Sequence, residues 1–325
     1  MDSQDETPFH FVSPLKESLA LSKLAGTQVL MKLENIQPVG SFKIRGIGHF
    51  CQKLAKEGCR KFVCSSGGNA GLAAAYACSK LGLPATIVVP EGTSKKIICK
   101  LQELGAEVVV TGKVWDDADA YAHGLTDAPG SVYVSPFNHP LLWEGHSSLI
   151  FELKASLGNQ KPGAFVVAVG GGGLLAGLVE GIVKVGWSDV PILAMETLGA
   201  DCLNAALQAG KSVTLPDITS IAKCLGAKTV CDRALECARK YRVISLTVDD
   251  RDALQAVESF LEDELMLVEV SCGAALAAVY SGHIQRLQKE GKLEPLAGPL
   301  IMIVCGGSSI SMSELQNFKS QLGMV

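Results

Sequence analysis

The chain has 325 residues, 48% of them hydrophobic and 19% charged, with a formal net charge of −4. That length and apolar share supply a large core divided over two lobes, and no basic run or acidic tail points to nucleic acid or to a solvating arm. No apolar run reaches the roughly 20 residues of a membrane span, and the polar start (Asp2, Gln4, Asp5, Glu6) is unlike a signal peptide.

The first predicted strand covers residues 29–34 and ends at the turn Gln37-Pro38-Val39-Gly40. Next comes Ser41-Phe42-Lys43-Ile44-Arg45-Gly46, in which a lysine sits among apolar neighbours. Desolvation favours the neutral, nucleophilic amine, the form that a Schiff base with a carbonyl cofactor requires. A lone lysine of this kind is more often a solvated residue at a helix start; the loops downstream shift that balance.

A strand over 61–64 leads through Ser65-Ser66-Gly67-Gly68-Asn69-Ala70-Gly71 into an Ala-rich helix over 69–83. Backbone amides at such a helix start favour a carboxylate or phosphate, and a tight turn capped by Asn69 accounts for the same residues equally well. Strands over 85–89 and 107–110 then alternate with helices over 93–104 and 115–124. His139 and His146 flank Trp143 on a loop and helix, where packing or capping is the commoner role.

The strand over 164–169 is followed by Gly170, Gly171, Gly172 and Gly173 and a helix over 174–185. One or two glycines suffice for a turn; four in a row before a helix form a cup for a phosphate. The spacing Gly171-x-Gly173-x-x-Ala176, with Glu196 ending the strand over 192–195, also fits a degenerate dinucleotide fingerprint, so a nicotinamide-dependent oxidoreductase stays open. After a helix over 200–208, a late strand over 300–304 runs into Cys305-Gly306-Gly307-Ser308-Ser309, and a helix over 313–322 closes the chain. The eleven cysteines form no CxxC pair and no zinc pattern. Cys64, Cys78 and Cys224 read as reduced core residues of a cytoplasmic protein, and Cys231 and Cys237 as structural.

Strand–helix alternation places the chain in the α/β class, as two doubly wound parallel-sheet lobes. A small domain over 36–138 is expected inside a large domain made of 1–35 and 139–325, which also takes the first strand.

Several motifs in order, GSFKIRGIGHF (40–50), CSSGGNAG (64–71), SPFNHPLLWEGH (135–146), AVGGGGLLAG (168–177), AMET (194–197), LPDITSIAK (215–223), CGAALAAVYSG (272–282) and VCGGSSIS (304–311), resemble the fold type II (tryptophan-synthase-β-like) pyridoxal-phosphate enzymes, and within them the L-serine/L-threonine dehydratases. The resemblance runs from about Phe9 to the C-terminus. It implies pyridoxal 5′-phosphate on a Schiff base with Lys43, the phosphate on Gly170 to Gly173, the pyridine 3′-oxygen near Asn69, the ring beside Phe42 and its nitrogen at Cys305. It implies that Ser66, Gly68, Asn69 and Ala70 surround the substrate carboxylate and that Lys43 is also the base for β-elimination. It implies a K+ site of Gly170, Glu196, Ala200, Leu225 and Ala227, a homodimer, and a free amino-acid substrate with no nucleic acid or membrane partner. Three departures stand out. Gly67 replaces a small side chain, a serine in the related racemases, which widens the pocket and argues against racemisation. Val270 replaces a proline in V-E-P, which loosens a loop near the cofactor. Val39 replaces a small polar residue. A pyridoxal-phosphate-binding protein with weak or lost catalysis is the remaining alternative.

Overall fold

Strands such as Ala164–Ala168 and Leu300–Val304 are buried at every position. Runs that are apolar on both faces need cover on both faces, which parallel sheets flanked by helices provide. The structure, a computed structural model, describes residues 7–324. In chain order its strands are β1 (Leu15–Glu17), β2 (Val29–Leu33), β3 (Lys61–Cys64), β4 (Ala85–Val89), β5 (Glu107–Val110), β6 (Ser131–Tyr133), β7 (Ala164–Ala168), β8 (Ile192–Thr197), β9 (Val243–Val248) and β10 (Leu300–Val304).

They form a six-stranded sheet of order β1-β2-β10-β7-β8-β9 and a four-stranded sheet of order β5-β4-β3-β6. Every pairing is parallel except β1 with β2. The strand after residue 28 therefore lies in the six-stranded sheet, and residues 61–133 supply the smaller one. One buried cluster fills the helix layers of the large sheet, from Leu21 to Leu315, and another joins the Lys43–Lys56 helix to the small sheet through Ile44, Ile47, Phe62 and Ile87.

Five predicted elements recur with the expected ends (61–64, 85–89, 107–110, 115–124 and 300–304), others recur with shifted ends, and two of the shifts have a plain local cause. The helix Asn69–Leu81 stops two residues early because Gly82 takes the left-handed conformation (φ 65). The helix Lys95–Glu103 starts late because Ser94 is its N-cap, with Oγ accepting from the Ile97 N–H at 3.4 Å. β8 runs two residues past the predicted end, and its helix starts only at Cys202. The strands β1, β6 and β9 go unpredicted. All three are edge strands, and β1 and β6 have three residues each.

Candidate active site

The segment before Lys43 is tied to the end of β10. Ser41 bridges Gly306, the Gly307 N–H donates to Gly40 O at 2.8 Å and the Phe42 N–H to Cys305 O at 3.4 Å. Lys43 is the first residue of the helix Lys43–Lys56. Its Nζ donates to Pro136 O at 2.5 Å and lies 5.3 Å from the Phe42 ring centre. Burial pushes the amine below the usual lysine value. The shift runs in the direction that the sequence reading requires, toward the neutral amine.

Next to Pro136, Phe137 presses on the glycine loop. A Cβ at Gly171 would collide with the Phe137 ring, one at Gly173 would lie 2.5 Å from Phe137 O, and one at Gly170 would lie 2.9 Å from Leu225 Cα. Gly172 has φ 88 and precedes the helix Gly173–Lys184. The N–H groups of Gly171, Gly172 and Gly173 have no hydrogen-bond partner among the described residues. Unpaired amides at a helix start suit a phosphate, so the residues present fit the group that the sequence implies. Lys43 and this cradle share one segment, residues 135–138.

The second loop also leaves its amides open. Gly68 is the N-cap of the helix Asn69–Leu81 and carries no side chain to close it. The N–H groups of Asn69, Ala70 and Gly71 have no partner among the described residues, while the Gly68 N–H donates to Ser66 Oγ at 3.2 Å. Ser66, Gly68, Asn69 and Ala70 thus sit together at a helix start whose open amides suit an anion. Asn69 is not a cap. Its Nδ2 donates to Glu269 Oε2 at 3.0 Å, and its Oδ1 accepts from the Ser308 N–H at 3.0 Å. Glu269 Oε1 accepts from the Ser309 N–H at 2.7 Å. The side chain expected near a pyridine oxygen thus belongs to a network joining three distant stretches of chain.

Cys305 is buried beside Cys272. The contact with that thiol and burial both push it well above the usual range, so it is a protonated donor. Cys224 departs from the core role expected of it. It lies solvent-exposed on the one-turn helix Lys223–Leu225, with its Sγ 3.6 Å from Asn69 Nδ2, and lines the cleft. Gly67 does not open the pocket either, because a Cβ there would lie 3.1 Å from Val89 Cγ1 and 3.3 Å from Thr93 Cγ2. Val270 does not loosen a loop: it is the first residue of the helix Val270–Tyr280, and it is buried.

Glu196 accepts from the Leu203 and Asn204 N–H groups, each at 2.8 Å, and so caps the helix Cys202–Ala209. Burial pushes its carboxyl up to about 8. A carboxylate spent in this way is not free for a ribose, which removes the dinucleotide reading. Gly170 packs on Leu225, the Ala227 N–H donates to Leu225 O at 2.7 Å, and Ala200 bridges Thr197. His139 is a cap, its Nδ1 accepting from the Leu141 N–H at 3.1 Å. His146 is buried under Phe42, with ring centres 5.1 Å apart. Sequence reasoning missed Glu269, Ser308 and Pro136 as site residues. The one signal was motif membership: Pro136 lies within 135–146, Ser308 within 304–311, and Glu269 just before Val270.

A family model described as pyridoxal-phosphate dependent enzyme matches residues 6–306. A serine dehydratase-like protein of Mus musculus is 62% identical over 316 residues, 97% of this chain and 96% of that one. The L-serine dehydratase/L-threonine deaminase of Homo sapiens is 54% identical over 318 residues, 98% of this chain and 97% of that one. Among solved structures, a fungal L-serine ammonia-lyase from Rhizomucor miehei superposes with a TM-score of 0.91 at 37% identity, covering 97% of this chain and 99% of that one.

Proposed function

This chain belongs to the pyridoxal-phosphate-dependent enzymes, and we propose that it eliminates water from 2-amino-3-hydroxy acids, turning L-serine into pyruvate and ammonia and L-threonine into 2-oxobutanoate and ammonia. The observation that carries this reading is the shared segment 135–138, which takes the Lys43 amine on Pro136 O and packs Phe137 on the glycine cradle. Lys43 and the amides of Gly171 to Gly173 would hold the cofactor, with Cys305 at its ring nitrogen. What bound pyridoxal phosphate supplies is an electron sink for the α-carbon of an amino acid.

The open amides of Asn69, Ala70 and Gly71 orient the substrate carboxylate. Lys43, whose amine burial shifts toward the neutral form, takes the α-proton as general base. Loss of that proton and of the β-hydroxyl leaves an enamine, which water converts into a 2-oxo acid and ammonia. Position 67 supplies no base to return a proton from the other face, since glycine has no side chain and a Cβ there would pack on Val89 and Thr93, so D-serine is at most a minor product. The Cys305 thiol is a weaker partner for a ring nitrogen than a carboxylate, which favours prompt elimination over a long-lived carbanion.

The same reading includes a K+ ion among Gly170, Glu196, Ala200, Leu225 and Ala227, whose carbonyl oxygens suit a hard cation. It includes a homodimer in the cytoplasm. All eleven cysteines are free, which suits a reducing compartment. No helix among the described residues is long and apolar enough to cross a membrane.

The test is an absorbance spectrum of the purified protein before and after L-serine, with 2-oxo acid assayed in the same tube. A lysine Schiff-base band at about 410–430 nm that changes with serine while pyruvate accumulates is expected. Lys43→Ala should lose both. A band that shifts without product would replace this reading with cofactor binding alone.

A further inference from the structure

Two residues beyond Lys43, the Arg45 side chain is fully buried. Its Nε and Nη2 hold Glu34 at 2.6 and 2.8 Å, and its Nη1 and Nη2 hold Glu152 at 2.6 and 2.8 Å. Nη1 also donates to Ser148 Oγ at 2.9 Å and Nη2 to Ser13 Oγ at 3.3 Å. Lys32, equally buried, donates to Glu152 Oε2 and to Ser13 O, each at 2.6 Å. Two cations and two carboxylates thus balance inside the protein. They join the segment before β1, the end of β2 with the turn Glu34–Ile36, the Lys43 helix, and the helix Pro140–Leu157. Buried ion sets of this kind add little net stability compared with apolar packing, so stability alone does not explain it.

A second set of contacts runs through the same helices. A Cβ at Gly46 would lie 2.6 Å from the His146 ring and 2.8 Å from Leu142 O, and one at Gly145 would collide with Arg45 O. The helix Pro140–Leu157 meets the helix Gly173–Lys184 in the same way: a Cβ at Gly177 would collide with His146 Cβ, and one at Gly181 would lie 2.6 Å from Ile150 Cβ. Three helices are thus pressed together at glycines. The first opens with Lys43, and the third opens with the phosphate cradle.

We propose that Arg45 is a positioning residue: its double fork fixes the first turn of the Lys43 helix to the body that carries the glycine cradle, and so sets where the Lys43 amine stands and how little water reaches it. The inference rests on Lys43 being the reacting amine. A lysine at 45 would keep the charge but could not grip two carboxylates with one planar fork.

Two variants test it. Arg45→Met/Glu34→Gln removes one charge of each sign and leaves the Lys32–Glu152 pair. Arg45→Lys keeps the charge and loses the fork. Both hold the local net charge constant, so a change at Lys43 reports position and solvation. The first measurement uses cofactor-free protein: the pH dependence of Lys43 acetylation by acetic anhydride, read by peptide mass spectrometry. Cys64, Cys224, Cys305 and His146 are the ionisable neighbours of the amine. The second measurement is steady-state kinetics of the holoenzyme with L-serine.

The expected result is a labelling midpoint raised toward that of a surface lysine in both variants. With it, kcat should fall roughly 10–100-fold, as a misplacement of about 1 Å produces, while KM stays within about two-fold. Arg45→Lys should recover only part of either loss. A folded variant with the wild-type midpoint and kcat overturns the proposal, as does full rescue by Arg45→Lys. If the double variant fails to fold, Arg45→Lys decides by the same two readouts. Labelling needs no substrate, so absence of serine turnover in the wild type would sink the dehydratase reading alone, and an unmoved midpoint would sink this one alone.

Discussion

Lys43 burdens the fold that holds it. Burial keeps its amine below the ordinary value of 10.5. Between the two pKa values the unfolded chain binds a proton that the native protein does not, so stability rises with pH across that window and is complete above 10.5. Lys43→Met removes the burden. Without cofactor, the variant should melt above the wild type near neutral pH, and the gap should close as pH approaches 10.5. Equal melting temperatures at neutral pH, measured by calorimetry, would mean that the amine is hydrated and charged. Glu269 is the other residue that sets the site, because its two oxygens each accept one N–H, from Asn69 and from Ser309. Glu269→Gln turns one acceptor into a donor and orphans a partner, at a cost of about 1–3 kcal/mol. If Asn69 must be held for turnover, kcat/KM for serine falls roughly 10–100-fold, since each 1.4 kcal/mol is about ten-fold. Unchanged kinetics would leave Asn69 oriented by Ser308 alone.

At the scale of elements, Val270 is a natural experiment. It opens the helix Val270–Tyr280, its N–H has no partner among the described residues, and Glu269 before it is extended (φ −68, ψ 155). Proline fits a first helical position, and an extended residue before it avoids the usual clash. Val270→Pro should therefore fold. The stiffer unfolded chain is worth about 0.4–1 kcal/mol, set against the lost packing of a buried valine. Urea unfolding of the two proteins measures the balance; a loss above about 2 kcal/mol would show that valine's contacts dominate. The inner strands β4, β7 and β10 are legible in the sequence because burial on both faces makes them unbroken apolar runs. The edge strand β9 is half-buried at every residue but its last, Val248, and blends into its surroundings. Lys43, the cradle and the Asn69 loop are legible because unusual residues cluster within each. The Asn69–Glu269 bond joins residues 200 apart, and the Arg45 quartet draws on four segments. No local pattern specifies such pairings. The shift of Cys224 from core to cleft wall has the same origin, since its composition is that of a core cysteine and only the fold turns it outward.

Across the whole molecule the two sheets are joined by unequal ties. The Lys43 helix is bound to the large body by a buried fork. The loops over the cleft are bound by lighter contacts: Asn69 to Glu269 and Ser308, Lys100 Nζ to Ser308 O at 3.3 Å, and Lys228 Nζ to Asp116 at 2.9 Å. This asymmetry suits an enzyme whose base must stay fixed while its carboxylate loop admits a substrate. The Lys228–Asp116 pair is exposed on both sides, so water and salt screen it, and its contribution to closing the cleft is small. Lys228→Ala should raise KM for L-serine by no more than about five-fold and leave kcat in place. Wild-type enzyme in about 0.5 M KCl, where the Debye length is short, should show much the same KM as the variant. Steady-state kinetics of both at low and high salt separates the possibilities. A KM that salt moves in the wild type and not in the variant assigns the effect to this pair. A fall in kcat comparable to that expected of the Arg45 variants would mean that the cleft-mouth tie also holds the base, and the division between a fixed lysine and a moving loop would not stand.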